Sequence, residues 1–126
     1  MNKKIFQTDK APAPIGPYSQ AVLVNNMLYV SGQIAINPVT GQLVLDNINE
    51  ETQQVMNNLK AILDAAGMDF SNVIKTSIFL KDMNQFSTVN EIYGGFFKSD
   101  FPARETVQVS ALPKFVNVEI SVIASL

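Results

Sequence analysis

The sequence predicts an α+β domain in which a mixed β-sheet carries two helices on one face. Two stretches show apolar residues at helical spacing, and runs typical of strands lie before, between and after them. Because a single strand separates the two helical stretches, the chain has to cross over the sheet, while hairpins at both ends add antiparallel pairs. The length of 126 residues suits one domain, residues 1–126, without internal repeats.

The N-terminal third is predicted to form strands joined by turns. Residues 5–7 fit a short edge strand, and the proline-rich segment 11–17 has to be a loop. The runs 19–24 and 27–31 flank an Asn-Asn pair. Since asparagine tolerates positive φ, this pair predicts a two-residue hairpin turn.

The central part alternates between helix and strand. Helical spacing starts at about Asn47, where Glu50 completes a capping-box pattern, and Gly67 suits a C-terminal stop. The apolar run 73–80 predicts a largely buried strand. A second helix is predicted over about 84–97, where aromatic and aliphatic residues form an apolar stripe.

The last third is predicted to be a strand, a turn at 112–114 and a final strand over 115–123. Alternation after Pro102 places Val107 on the apolar face of its strand and Arg104 on the opposite, polar face. In the final strand the even-numbered residues form the core face, so Glu119 lies on the polar face.

Composition excludes several kinds of chemistry. The chain has no histidine and no cysteine, so it has no Ser-His-Asp or Cys-His nucleophile system, no zinc site of the usual ligands, no disulfide and no thiol redox centre. We expect neither a metal nor a cofactor. Any reaction has to use carboxylates, arginine, lysine, tyrosine, hydroxyls, backbone amides and water.

Charge and hydropathy narrow the possible partners. The formal net charge is −2, without a basic cluster beyond one Lys-Lys pair, so a nucleic-acid surface is not expected. No stretch has the length of a membrane span and the start of the chain lacks an apolar leader, so we expect a cytoplasmic protein. Hydrophobic residues make up 47% of the chain, and this surplus hints at a subunit interface.

Arg104 is the first candidate functional residue because it is the only arginine in the chain. Its planar guanidinium offers a two-pronged match to a carboxylate or phosphate, which lysine does not. The alternative is a surface arginine in a weak ion pair, worth about 0 to 1 kcal/mol.

Glu119 is the second candidate, on the same face as Asn117 and Ser121. The alternative is a solvated strand glutamate. If a partner covers this face, desolvation raises the pKa of Glu119 towards that of a useful base, and a nearby arginine opposes the rise.

Several short motifs together resemble those of one protein family. They are IGPYSQ at 15–20, SGQI at 31–34, AAG at 65–67, VIKTSIFLKD at 73–82, FSTVN at 86–90, FPAR at 101–104 and VEI at 118–120. In this order and at these spacings, the sequence resembles the RidA family, also called YjgF, of reactive enamine/imine deaminases. The similarity spans nearly the whole chain.

The resemblance implies a chorismate-mutase-like fold assembled as a homotrimer, with sites in the clefts between subunits. It implies that Arg104 holds the carboxylate of the substrate and that Glu119 orients or activates the hydrolytic water. It further implies a pocket shaped by Tyr18, Ser31 and Asn90, with Gly32 letting backbone approach the ligand. Thr106 stands where many deaminating relatives have cysteine, so its amide or hydroxyl would have to provide any ligand contact there.

The implied activity is hydrolytic deamination of 2-iminopropanoate and 2-iminobutanoate to 2-oxo acids and ammonia, by a hydrolase acting on a carbon-nitrogen double bond. Such imines are released by pyridoxal-phosphate dehydratases from serine and threonine. The alternative is a regulatory protein that binds a 2-oxo monocarboxylic acid in the same cleft without turnover.

Overall fold

Two α-helices and a six-stranded sheet make up the fold in a computed structural model that describes all residues 1–126. The helices are α1, Ile48–Ala65, and α2, Phe86–Gly94. The strands are β1 Lys4–Phe6, β2 Ala21–Val24, β3 Met27–Gln33, β4 Val73–Leu80, β5 Ala103–Gln108 and β6 Val118–Ser125. The predicted mixed sheet with two helices is confirmed.

The strand order is β1-β2-β3-β6-β4-β5, in which only β4 and β5 run parallel. The predicted C-terminal hairpin is therefore wrong, because β6 pairs with β3 and β4 and β5 pairs with β4 alone. The physical reason is burial. Alternate side chains of β6, from Val118 to Ala124, are buried and suit a central strand, whereas β5 is largely exposed and lies at the edge.

The local signals predicted the hairpin and the first helix well. Asn25 and Asn26 have φ values of 51° and 65° in the turn between β2 and β3. The Asn47 Oδ1 atom accepts a hydrogen bond from the Glu50 amide at 2.9 Å and caps α1. Gly67 follows the helix with a φ of 72°, a conformation that glycine adopts without steric cost.

The second helix and the last strand are shorter at their starts than predicted. A 3₁₀ turn at Met83–Gln85, capped by Asp82, comes before α2. A second 3₁₀ turn at Pro113–Phe115 occupies the start of the predicted final strand. Since Lys114 and Phe115 both have positive φ, this stretch is not extended, and β6 starts only at Val118.

The two sides of the sheet differ in what covers them. We call the side beneath α1 and α2 the helix face, and the other the open face. The helix face holds the main core, in which Leu28, Leu59, Ile78 and Ile120 are fully buried or nearly so. On the open face, Tyr29 stays 46% exposed. Neither helix is long and apolar enough to cross a membrane.

Candidate active site

Arg104 lies on the helix face, not on the polar face that alternation predicted. It pairs in register with Thr76, whose side chain is fully buried on that face. Val107 pairs instead with Phe79 on the open face and is 41% exposed. The prediction failed because β5 is an edge strand with a largely polar sequence, in which no alternate set of residues is apolar enough to fix the core face. Pairing with β4 therefore decides which of its residues face the helices.

The guanidinium of Arg104 is held by the side chains of α2. Its carbon Cζ lies 5.4 Å from the ring centres of both Phe86 and Tyr93, within the range of a cation-π interaction. Its Nη1 atom donates a hydrogen bond to Asn90 Oδ1 at 2.6 Å. The structure therefore brings together two residues that the sequence singled out, Asn90 and Arg104, and aligns one side of the guanidinium.

The rest of the guanidinium is available to an anion. Arg104 takes part in neither of the two ion pairs of the chain. It borders a cavity of about 450 Å³ with Asn90, Tyr93, Gly94, Phe101 and Pro102. Because this anchor carries one positive charge on an aromatic support, it suits a small monocarboxylate.

Tyr93 is a member of this anchor that the sequence reasoning missed. Its hydroxyl donates to Thr76 Oγ1 at 3.0 Å in a buried pair, and burial raises the pKa of the phenol. The ring is therefore neutral and fixed beneath the arginine. Its position three residues after Asn90, on the same side of the helix, was a signal that helical spacing contained.

Glu119 lies on the open face, at a second and larger cavity. The cavity has a volume of about 580 Å³, and Tyr18, Ser31 and Gly32 line it together with the glutamate. These are four of the residues that the sequence singled out. The structure thus gathers them into one place, at the point where β3 and β6 lose their regular register between Val30 and Gln33.

Burial raises the pKa of the Glu119 carboxyl above its usual value. No ion pair offsets this effect, since Glu119 is in neither ion pair of the chain. A carboxylate that has lost water and gained no positive partner accepts a proton more readily than an exposed one. This is the property that a general base for water requires near neutral pH.

Gly32 makes room for Glu119. A Cβ atom added at Gly32 would lie 2.8 Å from Cδ of the glutamate and closer still to Oε2, so any side chain there would displace the carboxylate. Ser31 fixes the adjoining loop, because its hydroxyl donates to the Ser19 carbonyl at 2.6 Å. Tyr18, the residue before Ser19, lines the cavity and is half exposed.

The arginine and the glutamate do not share a cavity within one chain. On β4, Arg104 pairs with Thr76 and Glu119 pairs with Phe79, three residues further along the strand. Since β4 lies between β5 and β6, Arg104 and Glu119 are also two strand spacings apart. At about 4.8 Å per strand and 3.3 Å per residue, their Cα atoms are about 14 Å apart. Their side chains also leave opposite faces of the sheet. Each cavity is therefore half of the predicted site.

Thr106 lies beside the arginine cavity without lining it. It shares the helix face with Arg104, and its Oγ1 atom is buried without a hydrogen-bond partner. The bulky Glu105 that separates them points away, because its carboxylate pairs with Lys75 at 3.0 Å and with the Ser77 hydroxyl on the open face. These two contacts, Ser77 foremost, lower the pKa of Glu105.

Lys114 is a further residue that the sequence did not single out, and it lines the glutamate cavity. It is in neither ion pair of the chain. No sequence signal distinguished it from the other seven lysines. Only the turn at Pro113–Phe115 brings it there.

Both the sequence and the fold are similar to those of known proteins. A family model described as endoribonuclease L-PSP matches residues 8–126. The human protein named 2-iminobutanoate/2-iminopropanoate deaminase is 53% identical over 122 residues, which are 97% of this chain and 89% of the human protein. A crystal structure of a Rid-family protein from Yersinia pestis superposes with a TM-score of 0.96 at 51% identity, covering 98% of this chain and 99% of the other. The E. coli protein TdcF, solved with bound serine, has a TM-score of 0.93 at 40% identity, covering 98% of both chains.

Proposed function

The chain belongs to the endoribonuclease L-PSP family, to which the RidA/YjgF proteins belong, and on that premise we propose that it is a 2-iminobutanoate/2-iminopropanoate deaminase. The observation that carries this proposal is similarity over 97% of the chain to curated deaminases, at 53% and 54% identity for the human and bovine proteins. The two half-sites supply the two chemical elements that imine hydrolysis needs, an anchor for a carboxylate and a base for water.

We propose that Arg104 is the carboxylate anchor. Asn90 already takes one N–H of the guanidinium, so the remaining N–H groups meet the two oxygens of a 2-imino acid. Hydrogen bonds of this charge-assisted kind contribute about 1.5 to 3 kcal/mol each. The aromatic rings below the arginine exclude water from one side and keep the anchor in place.

We propose that Glu119 activates the hydrolytic water. The carboxylate takes a proton as the water oxygen attacks C2 of the protonated imine, which forms a neutral carbinolamine. The carboxyl group returns this proton to the amino nitrogen, the hydroxyl proton passes to the carboxylate as the C2=O bond forms, and the C2–N bond breaks to release ammonia and a 2-oxo acid. Because imines already hydrolyse in water, positioning and general-base assistance of about 10²- to 10⁴-fold are sufficient.

A complete site then requires Glu119 from one protomer and Arg104 from another. Within one chain the two side chains leave opposite faces of the sheet and their Cα atoms are about 14 Å apart, too far for both to act on one small acid. We propose a homotrimer in which the open face is covered by neighbouring copies. The exposed apolar residues of this face, Ile5, Tyr29 and Val107, favour such burial.

An elimination reaction supplies such a substrate, because a hydroxy amino acid that loses water gives an enamine, which tautomerises to the 2-imino acid. Pyridoxal-phosphate dehydratases carry out this reaction on serine and threonine. We propose that the protein acts beside such enzymes in the cytoplasm.

The decisive assay generates 2-iminobutanoate from threonine with a dehydratase and follows its loss with and without the protein. We expect the imine to disappear faster, with 2-oxobutanoate and ammonia formed in equal amounts. An unchanged decay rate, together with measurable binding of 2-oxobutanoate, would instead identify a binding protein that uses the same cleft.

A further inference from the structure

Helix α1 buries three polar side chains, Glu51, Thr52 and Asn58, and two of these bind backbone groups outside the helix. Glu51 is 0% exposed and Asn58 is 1% exposed. They are seven residues apart, which is two helical turns, so both point to the same side of the helix. Neither is among the residues that line the two cavities.

Glu51 binds the start of the strand that bears the proposed base. Its Oε2 atom accepts hydrogen bonds from the Asn117 amide at 2.7 Å and the Val118 amide at 3.2 Å. Its Oε1 atom accepts one from Asn117 Nδ2 at 2.7 Å. Three donors therefore converge on one buried carboxylate, immediately before Glu119 in the chain.

These amides need an acceptor because the sheet is incomplete there. Pairing between β3 and β6 ends at Gln33 and Ile120, one residue beyond Glu119. At the start of β6 only β4 continues the ladder, through Leu80 and Val118. Glu51 supplies the acceptors that a second neighbouring strand would otherwise provide.

Asn58 holds another part of the wall of the same cavity. Its Nδ2 atom donates to the carbonyls of Ile34 at 3.1 Å and Ile36 at 3.0 Å, and both isoleucines line the cavity of Glu119. Its Oδ1 atom accepts from Gln54 Nε2 at 2.9 Å, which fixes the orientation of the amide.

We propose that Glu51 and Asn58 are positioning residues, which hold two parts of the wall of the Glu119 cavity at a set separation through backbone hydrogen bonds. The inference deepens the proposed function and rests on it. Both oxygens of the side chain at position 51 have to accept hydrogen bonds, because all three of its partners are donors. A glutamine would turn its amide hydrogens towards at least one of them.

The test replaces each residue by a side chain of similar shape and uses a surface neighbour as the matched control. The pairs are Glu51→Gln with the exposed Glu50→Gln, and Asn58→Leu with the exposed Asn57→Leu. We expect kcat for the imine to fall about 10- to 100-fold in the buried variants, because small displacements of a catalytic group are costly. KM should change little, since the Arg104 anchor is on the other half-site. The control variants should behave as the wild type.

Two further measurements separate positioning from general loss of stability. Ile62→Val, a core change in α1, should lower the melting temperature without lowering kcat. The titration of Glu119, followed by NMR of its carboxyl carbon, should show its raised pKa moving back towards an ordinary value in Glu51→Gln and in Asn58→Leu, the second of which changes no charge. If kcat and this titration stay at the wild-type values in both folded variants, or if Ile62→Val loses kcat equally, the inference is overturned.

The carboxyl titration does not depend on turnover. If the wild-type protein leaves imine decay unchanged, the proposed function fails, and the titration of Glu119 alone then decides the positioning role.

Discussion

At the scale of single residues, the contacts of Arg104 require a planar guanidinium group at this position. Asn90 takes one N–H of the fork and two aromatic rings support its plane. Arg104→Lys keeps the charge but loses the fork. We expect kcat/KM for the imine to fall about 100-fold, which corresponds to about 2.7 kcal/mol.

The matched control for this change is Lys60→Arg, a swap of the same two residue types on the exposed surface of α1. It should leave the kinetics unchanged. Steady-state kinetics of Arg104→Lys close to those of the wild type would contradict a two-pronged anchor.

Glu119 predicts a particular pH dependence. As the base for water it has to be ionised, and burial raises its pKa. The turnover rate should therefore rise with pH through a value above that of an ordinary glutamate. Glu119→Gln should slow turnover about 10²- to 10⁴-fold while 2-oxobutanoate still binds, as calorimetry would detect. Equal loss of binding and turnover would make Glu119 a structural residue.

The raised pKa of Glu119 also makes the stability of the protein depend on pH. The direction is opposite to that of a carboxylate whose pKa is lowered by folding. The protonated form is the one that burial tolerates, so stability from this group is present below the unfolded pKa and is lost as pH rises through the folded pKa. Glu119→Gln should accordingly melt at a higher temperature than the wild type at pH 7, and the difference should close in acid. A lower melting temperature at pH 7 would contradict this assignment.

At the scale of elements, the turn at Pro113–Phe115 stores strain beside the glutamate cavity. Lys114 and Phe115 have φ values of 54° and 56°, in the left-handed region. Phe115 is 78% exposed, so its ring contributes little packing within the chain. Phe115→Gly should stabilise the protein by about 1 kcal/mol, since a non-glycine residue costs about 1 to 2 kcal/mol there.

Denaturant unfolding would measure this change. Val39→Gly is the matched control, because Val39 is 91% exposed and is not among the residues with positive φ. It should give no stabilisation. A loss of stability in Phe115→Gly would show that the ring is packed against another subunit.

Elements with local signals were predictable from the sequence, and elements decided by distant pairing were not. The Asn-Asn hairpin and α1 depend on neighbours in the chain, and both were predicted. The insertion of β6 between β3 and β4 depends on residues 38 or more positions away. Pairing with β4 likewise decides which side chains of the edge strand β5 point to the helix face. The sequence alone therefore placed Arg104 on the wrong face.

The candidate site shows the same division. Motif resemblance identified Tyr18, Ser31, Gly32 and Glu119, which the structure gathers in one cavity. It could not identify Tyr93, Glu51 or Asn58, since a tyrosine, a glutamate and an asparagine in an amphipathic helix have no distinctive pattern until their partners are known.

At the scale of the whole molecule, the two half-sites predict complementation between inactive variants. Arg104→Lys and Glu119→Gln each destroy one half-site and leave the other intact. If one site draws its arginine and glutamate from different protomers, mixed trimers contain sites in which both residues are native. Random exchange of equal amounts should restore about one quarter of the sites, because each of the two required protomers is of the right kind half of the time.

The measurement mixes the two purified variants under mild dissociating conditions, restores native conditions and follows imine loss. Each variant treated alone is the control and should keep only its own low residual rate, and sedimentation should give three chains per particle before and after exchange. A site confined to one chain would give no recovery, since no protomer in the mixture carries both residues. Recovery of activity in the mixture therefore depends on Arg104 and Glu119 pointing to opposite faces of the sheet. This arrangement follows from the register of β4 with β5 and β6.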